Sequence, residues 1–243
     1  MLTKNHYRLI QSLNQKKYRQ NQKLFIAEGV KVVQEFLNSK YELVHIFSIS
    51  DNYENFDKKF VRVSDKELKK ISLMISANEV LAIFKMPEPK KIDYSELILA
   101  VDSLNNPGNL GTIIRLCDWY GVKDLICSKS SVDCYNPKVI QSAMGSHARV
   151  NINYLNLESC LKFVNNKIGA TLDGNSIYGS DLPSKGILIF GNESNGISTN
   201  VLDKINVRIT IPRFGEIKEI ESLNVANAVA IMLSEFKRRS IEK

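Results

Sequence analysis

Apolar and polar positions follow two rhythms along this chain of 243 residues. "KLFIAEGVKVVQEFLNS" predicts a short strand, a turn at Glu28-Gly29, then a helix with Val32, Val33, Phe36 and Leu37 on its apolar face. "LVHIFSIS" predicts a second strand, "SDKELKKISL" a helix capped by Ser64, and "EVLAIFKM" a further strand. In "KMPEPKKIDYSE" two prolines and a run of charge interrupt the pattern. Residues that precede proline are pushed to extended geometry, so 89–96 reads as a linker. Residues 1–88 are expected to form a basic segment and a small α/β domain, and 97–243 a larger one.

In the larger part, "LILAVD", "DLICS", "IGATLD", "ILIFGN" and "VRITIP" are strand candidates, with helical stretches between most of them. Near-continuously apolar strands alternating with helices predict an α/β fold with a mostly parallel sheet covered on both faces. The last helix carries Val225, Val229, Met232 and Phe236 on one stripe and ends in the basic "KRR", which suits its negative pole.

Charge adds a partner to this picture. The net charge is +7, and residues 1–25 hold Lys4, Arg8, Lys16, Lys17, Arg19 and Lys23 without one acid. Such a surface suits a polyanion, although a solvated helix would carry the same residues. The four cysteines, 117, 127, 134 and 160, fit neither a metal pattern nor a disulfide framework; Cys117 and Cys127 read as small core residues. His147 and the other histidines show no metal or triad spacing. No apolar run reaches membrane-spanning length and no signal-peptide core is present, so a reducing cytoplasm is the expected setting.

Each of three strands in the second domain ends in an unusual polar loop: "DSLNNPGNLG", "GNESNGIS" and "IPRFGEIKEIESLN". The third is expected to lead into a helix beginning near Ser222. Loops at the carboxyl ends of parallel strands line one crevice. Glycines admit a ligand close to the backbone, and asparagines suit an adenine edge or a ribose hydroxyl. The loops lack both GxxxxGK[ST] and GxGxxG, so the expected ligand is an adenosyl group without phosphates. Taken singly, each residue has a simpler use: Asn109 or Ser222 as a helix cap, Arg115 as an ion-pair partner of Asp118, Glu193 as a surface carboxylate.

In order and spacing, "NNPGNLGTIIRLCDWYGV", "LIFGNESNGIS" and "ITIP…ESLNVANAVAIML" resemble the three signature motifs of the SpoU/TrmH family of RNA ribose methyltransferases, within the SPOUT superfamily. "NPKVIQSAMGSHARV", with Ser142 and Gly145 in the expected places, resembles the segment between the first two. "FIAEGVKVVQEFL" is similar to part of the family's N-terminal RNA-binding domain.

The resemblance implies a trefoil-knotted methyltransferase domain, which rhythm alone would argue against because knots are nearly absent from proteins. It further implies S-adenosylmethionine as cofactor, a homodimer that completes the active site, and transfer to a ribose 2′-hydroxyl. Position by position, the backbone of Gly191, Ile211 and Leu223 is expected to hold the cofactor, with Asn192, Glu193 and Gly196 shaping its pocket. Asn109 and Arg115 match the invariant pair of the first motif, Ser222 and Asn224 the polar pair of the third. Arg115 is expected to face the RNA, steadied by Asn109 and Glu193. This chain departs from the family at Arg213 and in the longer loop that runs to Glu221.

Methyl transfer is an in-line displacement that needs alignment and an activated oxygen, and no metal. Arginine is a poor base, so Arg115 is expected to orient the neighbouring phosphate and stabilise the developing alkoxide. Ribosomal RNA stands ahead of tRNA as substrate, since a separate RNA-binding domain suits a large structured target, with Lys16, Lys17, Arg19 and Lys23 on its RNA-facing surface. The alternatives are a non-catalytic RNA-binding protein and a dinucleotide-dependent oxidoreductase; the latter lacks its glycines.

Overall fold

The computed structural model of the chain describes residues 2–74, 78–215 and 222–241. It divides the chain into two compact units: residues up to Glu88 together with Asp133–Ala148, and Pro89–Val132 together with Arg149 onward.

Along the first stretch run α1 (Lys4–Leu13), α2 (Lys16–Gln22), β1 (Leu24–Glu28), α3 (Val30–Leu37), β2 (Leu43–Ser48), β3 (Phe60–Arg62), α4 (Asp65–Ile71) and β4 (Val80–Lys85). The strands form one sheet in the order β1-β4-β2-β3. β4 lies antiparallel to both β1 and β2, and β3 lies parallel to β2.

Side chains alternate across a strand, and this sheet buries both faces. Phe25 and Ala27 of β1 join Val80, Ala82 and Phe84 of β4 under α3, whose Val32, Val33 and Phe36 are buried there as the periodicity predicts. Ile26, Leu81 and Ile83 point the other way, onto Ile10 and Leu13 of α1 and Leu68 and Ile71 of α4. Ser64 caps α4 in a capping box with Glu67, which satisfies backbone donors at the helix start.

The next stretch gives β5 (Leu97–Val101), α5 (Pro107–Trp119) and β6 (Asp124–Ser128), then α6 (Pro137–Ala143). α6 belongs to the first unit, inside a stretch that the linear pattern assigned to the second domain. The reason is packing. Ile140 of α6 is buried in the Phe25 core, and Tyr135 packs on the same cluster. Asp133 is tied to Arg19 of α2 by a buried ion pair at 2.6 Å.

That pair corrects one expectation. Arg19 lies inside the first unit, 1% exposed, and its guanidinium also donates to the carbonyls of Leu13 and Asn14. Burying a charge is costly unless it is paired and hydrogen-bonded, and here it is both. Arg19 is therefore an internal tie, whereas Lys16, Lys17 and Lys23 are exposed.

The rest of the chain supplies β7 (Asn151–Leu155), α7 (Leu157–Cys160), β8 (Lys167–Ser176), β9 (Gly186–Phe190), α8 (Thr199–Leu202), β10 (Val207–Thr210) and α9 (Val225–Ile241). The second unit is built on a six-stranded sheet in the order β10-β8-β9-β5-β6-β7. Its pairings are parallel throughout. β5, β6 and β9 are buried at every position, which their unbroken apolar runs anticipate.

The linear pattern does not reveal β7. As an edge strand reading "NINYL" it is mostly half-buried and alternates polar with apolar residues. Val225, Val229, Met232 and Phe236 of α9 are buried, as their stripe predicts, and all four cysteines are buried as thiols outside any disulfide. Among the described residues no helix is long and apolar enough to cross a membrane.

Candidate functional site

At the carboxyl end of β5 the chain turns sharply at Asp102-Ser103. The Asp102 backbone N–H donates to the Phe190 carbonyl at 2.8 Å, which holds this turn against the end of β9. Its buried carboxylate accepts from the Ser198 N–H at 2.9 Å and from the Ser103 hydroxyl at 3.1 Å. Ser103 adopts a left-handed conformation with φ of 56°. Its N–H donates to the Ser128 hydroxyl at the end of β6, and its carbonyl accepts from Asn192 Nδ2, each at 2.8 Å. The ends of β5, β6 and β9 are thus tied to one dipeptide.

The β9 loop is a tight one. Asn192 and Gly196 exchange two backbone hydrogen bonds of 2.9 Å, and Asn192 Oδ1 accepts from the N–H groups of Ser194 and Asn195. Gly191 has no room for a side chain: a Cβ there would stand 2.1 Å from the Gly196 carbonyl carbon. Only glycine lets the two ends of this loop meet.

Asn106 opens α5 as its N-cap, accepting from the Asn109 N–H at 3.1 Å, with Pro107 in the first turn. This presents the Asn109 side chain towards the β9 loop. Asn109 Nδ2 donates to Glu193 Oε1 at 2.7 Å, and Asn109 Oδ1 accepts from Asn224 Nδ2 at 3.0 Å. Asn224 in turn caps α9 by accepting from the Ala226 N–H at 2.9 Å. Glu193, Asn109 and Asn224 form one relay across the three loops predicted to meet.

Three expectations change here. Asn109 and Glu193 hold each other instead of steadying Arg115, because the α5 cap turns Asn109 to the loop side. Arg115 is exposed, farther along α5, and among the described residues it forms no hydrogen bond or ion pair. Asp118 is not its partner either, since both Asp118 oxygens accept from Arg149 Nε at 2.9 Å. The cap of α9 is Asn224, with the helix starting at Val225, whereas Ser222 is exposed outside it.

Ile211 is half-buried just past β10, and Leu223 is exposed just before α9. The departure from the family pattern at Arg213 to Glu221 lies, from 216 onward, outside the described residues. Apolar Ile211 and Leu223, with close backbone approach at Gly191 and no lysine among the described residues of the three loops, fit the adenosyl portion of S-adenosylmethionine. Among the described residues no three or more His, Cys, Asp and Glu gather as metal ligands would.

Asp102, Ser103, Asn106 and Ser128 escape a reading based on motifs alone. Their available signal is a polar cluster directly after an apolar strand, as in "AVDS" and "ICSKSS".

The fold and site define an open α/β enzyme domain with its ligand loops at the carboxyl ends of parallel strands. Residues 96–234 match the SpoU rRNA Methylase family, and residues 4–82 match the MRM3-like substrate binding domain. The chain is 29% identical over 231 residues, 91% of each protein, to the 23S rRNA (guanosine(2553)-2'-O)-methyltransferase RlmP of Bacillus subtilis. A structure from Porphyromonas gingivalis assigned to the TrmH family of RNA methyltransferases superposes with a TM-score of 0.88 at 34% identity, covering 98% of this chain and 99% of that one. An rRNA methyltransferase from Sinorhizobium meliloti with AdoMet bound gives 0.86 at 27% identity, with 98% and 96% covered. This chain belongs to the SpoU rRNA methylase family, and it is an RNA methyltransferase.

Proposed function

We propose that the protein transfers a methyl group from S-adenosylmethionine to a ribose 2′-hydroxyl of ribosomal RNA. The observation that carries this reading is the Glu193–Asn109–Asn224 relay, which joins the three motif loops at the carboxyl edge of the parallel sheet. The relatives named as 23S rRNA 2'-O-methyltransferases supply the substrate class.

S-adenosylmethionine supplies an electrophilic methyl group when bound. The loops at Gly191–Gly196 and the residues Ile211 and Leu223 hold it, with Asn192 fixing the fold of its loop. Asn109, Glu193 and Asn224 keep those loops in register, and Ser222, two residues before Asn224 in the chain, is the polar group assigned to the ribose. Arg115, with no partner of its own among the described residues, is available to the RNA phosphate. It orients the attacking 2′-oxygen and stabilises the negative charge that develops there, while fixed donors cost little reorganisation. The reaction is then limited by alignment, which this relay provides.

The same reading includes a homodimer, a trefoil knot in residues 97–243, an RNA-binding role for residues 1–88 and a cytoplasmic setting. Trp119 supports the dimer: it is 82% exposed and stands four residues after Arg115, on the same face of α5. A second copy that covers Trp119 would stand close to Arg115. Exposed Lys16, Lys17 and Lys23 support the RNA surface.

The test is methyl transfer from labelled S-adenosylmethionine to purified rRNA and tRNA, with the label located by nuclease digestion and mass spectrometry. Label on ribose in rRNA is the expected result. Label on a base would overturn the 2′-O assignment, label in tRNA alone would overturn the substrate, and cofactor binding without transfer to either would favour an RNA-binding protein.

A further inference from the structure

Ser176 of β8 and Thr210 of β10 are register partners at the carboxyl ends of two parallel strands. Beyond them the Ile177 N–H donates to the Thr210 carbonyl at 2.9 Å, so the two segments leave the sheet side by side. Tyr178 follows one segment and Phe214 the other. Tyr178 thus lies two residues past the carboxyl end of β8 and Phe214 four residues past that of β10, three beyond Ile211. Ligands of open parallel sheets bind at these carboxyl ends.

The two rings are unlike the aromatic pairs of the core. Tyr178 is 48% exposed and Phe214 is 83% exposed. Their centroids are 6.5 Å apart with planes inclined by 36°, somewhat wider than the core pairs, which run from 4.8 Å for Phe25–Tyr135 to 6.1 Å for Phe36–His147. Stacked bases repeat at about 3.4 Å, so a base between two rings needs about 7 Å. The observed 6.5 Å is slightly short of that, so taking up a base requires the planes to level and the rings to part by about 0.5 Å.

One jaw is held firmly. Arg239 Nη2 donates to the carbonyls of Ile177 and Tyr178 at 2.9 and 2.8 Å, and Arg239 Nη1 bonds to the Ser180 carbonyl. Glu235 accepts from Arg239 Nε at 2.8 Å and fixes the guanidinium in turn. Tyr178 is thereby anchored to α9, while Phe214 lies four residues past Thr210, the end of β10.

We propose that Tyr178 and Phe214 form an aromatic clamp for one unpaired nucleobase of the RNA, adjacent to the nucleotide being methylated. The proposal rests on the RNA methyltransferase reading and deepens it. Single-stranded RNA is commonly held by bases stacked on aromatic side chains, and such stacking tolerates any base. The clamp therefore sets the position of the strand rather than the identity of the base.

The probe is a short single-stranded RNA carrying 2-aminopurine, whose fluorescence falls when it stacks. Parent protein should quench it, and Phe214→Ala or Tyr178→Ala should lose the quenching and weaken RNA affinity about tenfold each. Phe214→Trp and Tyr178→Phe should restore both, with S-adenosylmethionine affinity unchanged in calorimetry throughout. Weaker cofactor binding by Phe214→Ala would overturn the clamp and assign the ring to the cofactor pocket. Dissociation of a dimer by Phe214→Ala, read by light scattering, would overturn it in favour of a subunit interface. If the parent methylates rRNA and the alanine variants match it in quenching and rate, the clamp alone fails. A parent that neither binds nor methylates any RNA overturns the methyltransferase reading together with the clamp.

Discussion

Asn109 Nδ2 lies 2.7 Å from Glu193 Oε1, although 84 residues separate them along the chain. The same amide accepts from Asn224, so both ends of the Asn109 side chain are used and its orientation is fixed. Asn109→Ala should cut both links and lower kcat/KM about 100-fold through misalignment, a loss of the size expected for a displacement near 1 Å. Asn109→Asp should be at least as damaging, since it sets a carboxylate against Glu193. Both variants should melt near the parent, because the residues are not core; equal loss of activity and Tm would show that the relay only supports the fold.

Arg115 is not bonded to the relay, so it can be removed without disturbing it. Arg115→Ala should reduce methyl transfer roughly 100- to 1,000-fold, as loss of one transition-state donor does elsewhere. Calorimetry should find S-adenosylmethionine binding unaltered. A weakened cofactor Kd would move Arg115 from the RNA side of the site to the cofactor side.

Arg19 and Lys16 are three residues apart and should behave in opposite ways. Arg19→Ala leaves Asp133 buried without its cation and should destabilise the protein by about 3–5 kcal/mol in urea unfolding. Lys16→Ala and Lys17→Ala should leave unfolding unchanged and make RNA affinity less dependent on salt. Each lysine that neutralises a phosphate of a single strand accounts for about 0.7 in the log–log slope. An unaltered slope would take these lysines off the RNA surface.

His147 is a built-in acid sensitivity. Its Nε2 meets the Cys134 carbonyl at 2.9 Å and must carry the proton, while the buried Nδ1 has no hydrogen-bond partner among the described residues. Burial lowers its pKa from 6.5 to about 4. The unfolded chain therefore binds the extra proton first, and this group's contribution to stability is intact above pH 6.5 and is lost as pH falls towards 4. The loss is on the order of 3 kcal/mol. His147→Gln, which can still donate to the Cys134 carbonyl, should flatten stability over that interval when unfolding is followed at several pH values.

Much of this molecule is legible from one dimension. Buried parallel strands at 97–101, 124–128 and 186–190 announce themselves as unbroken apolar runs, because both faces of each are covered. The α3 and α9 stripes follow from helical periodicity, and the glycine and asparagine loops from the strands that they interrupt. Gly191 belongs to this group, since its lack of a side chain is written in the residue itself.

Other features exist only once the chain has folded. Arg19 looks like its lysine neighbours until Asp133, 114 residues away, meets it. Residues 133–148 join the first unit because Ile140 completes a core built from other segments. Asn109 could serve as a cap or as a site residue, and the choice is made by Asn106, which takes the cap and leaves Asn109 to Glu193 and Asn224. Periodicity reports how one segment meets water and its nearest neighbours. Which distant polar groups are desolvated together, and so must pair, is decided by the tertiary structure alone.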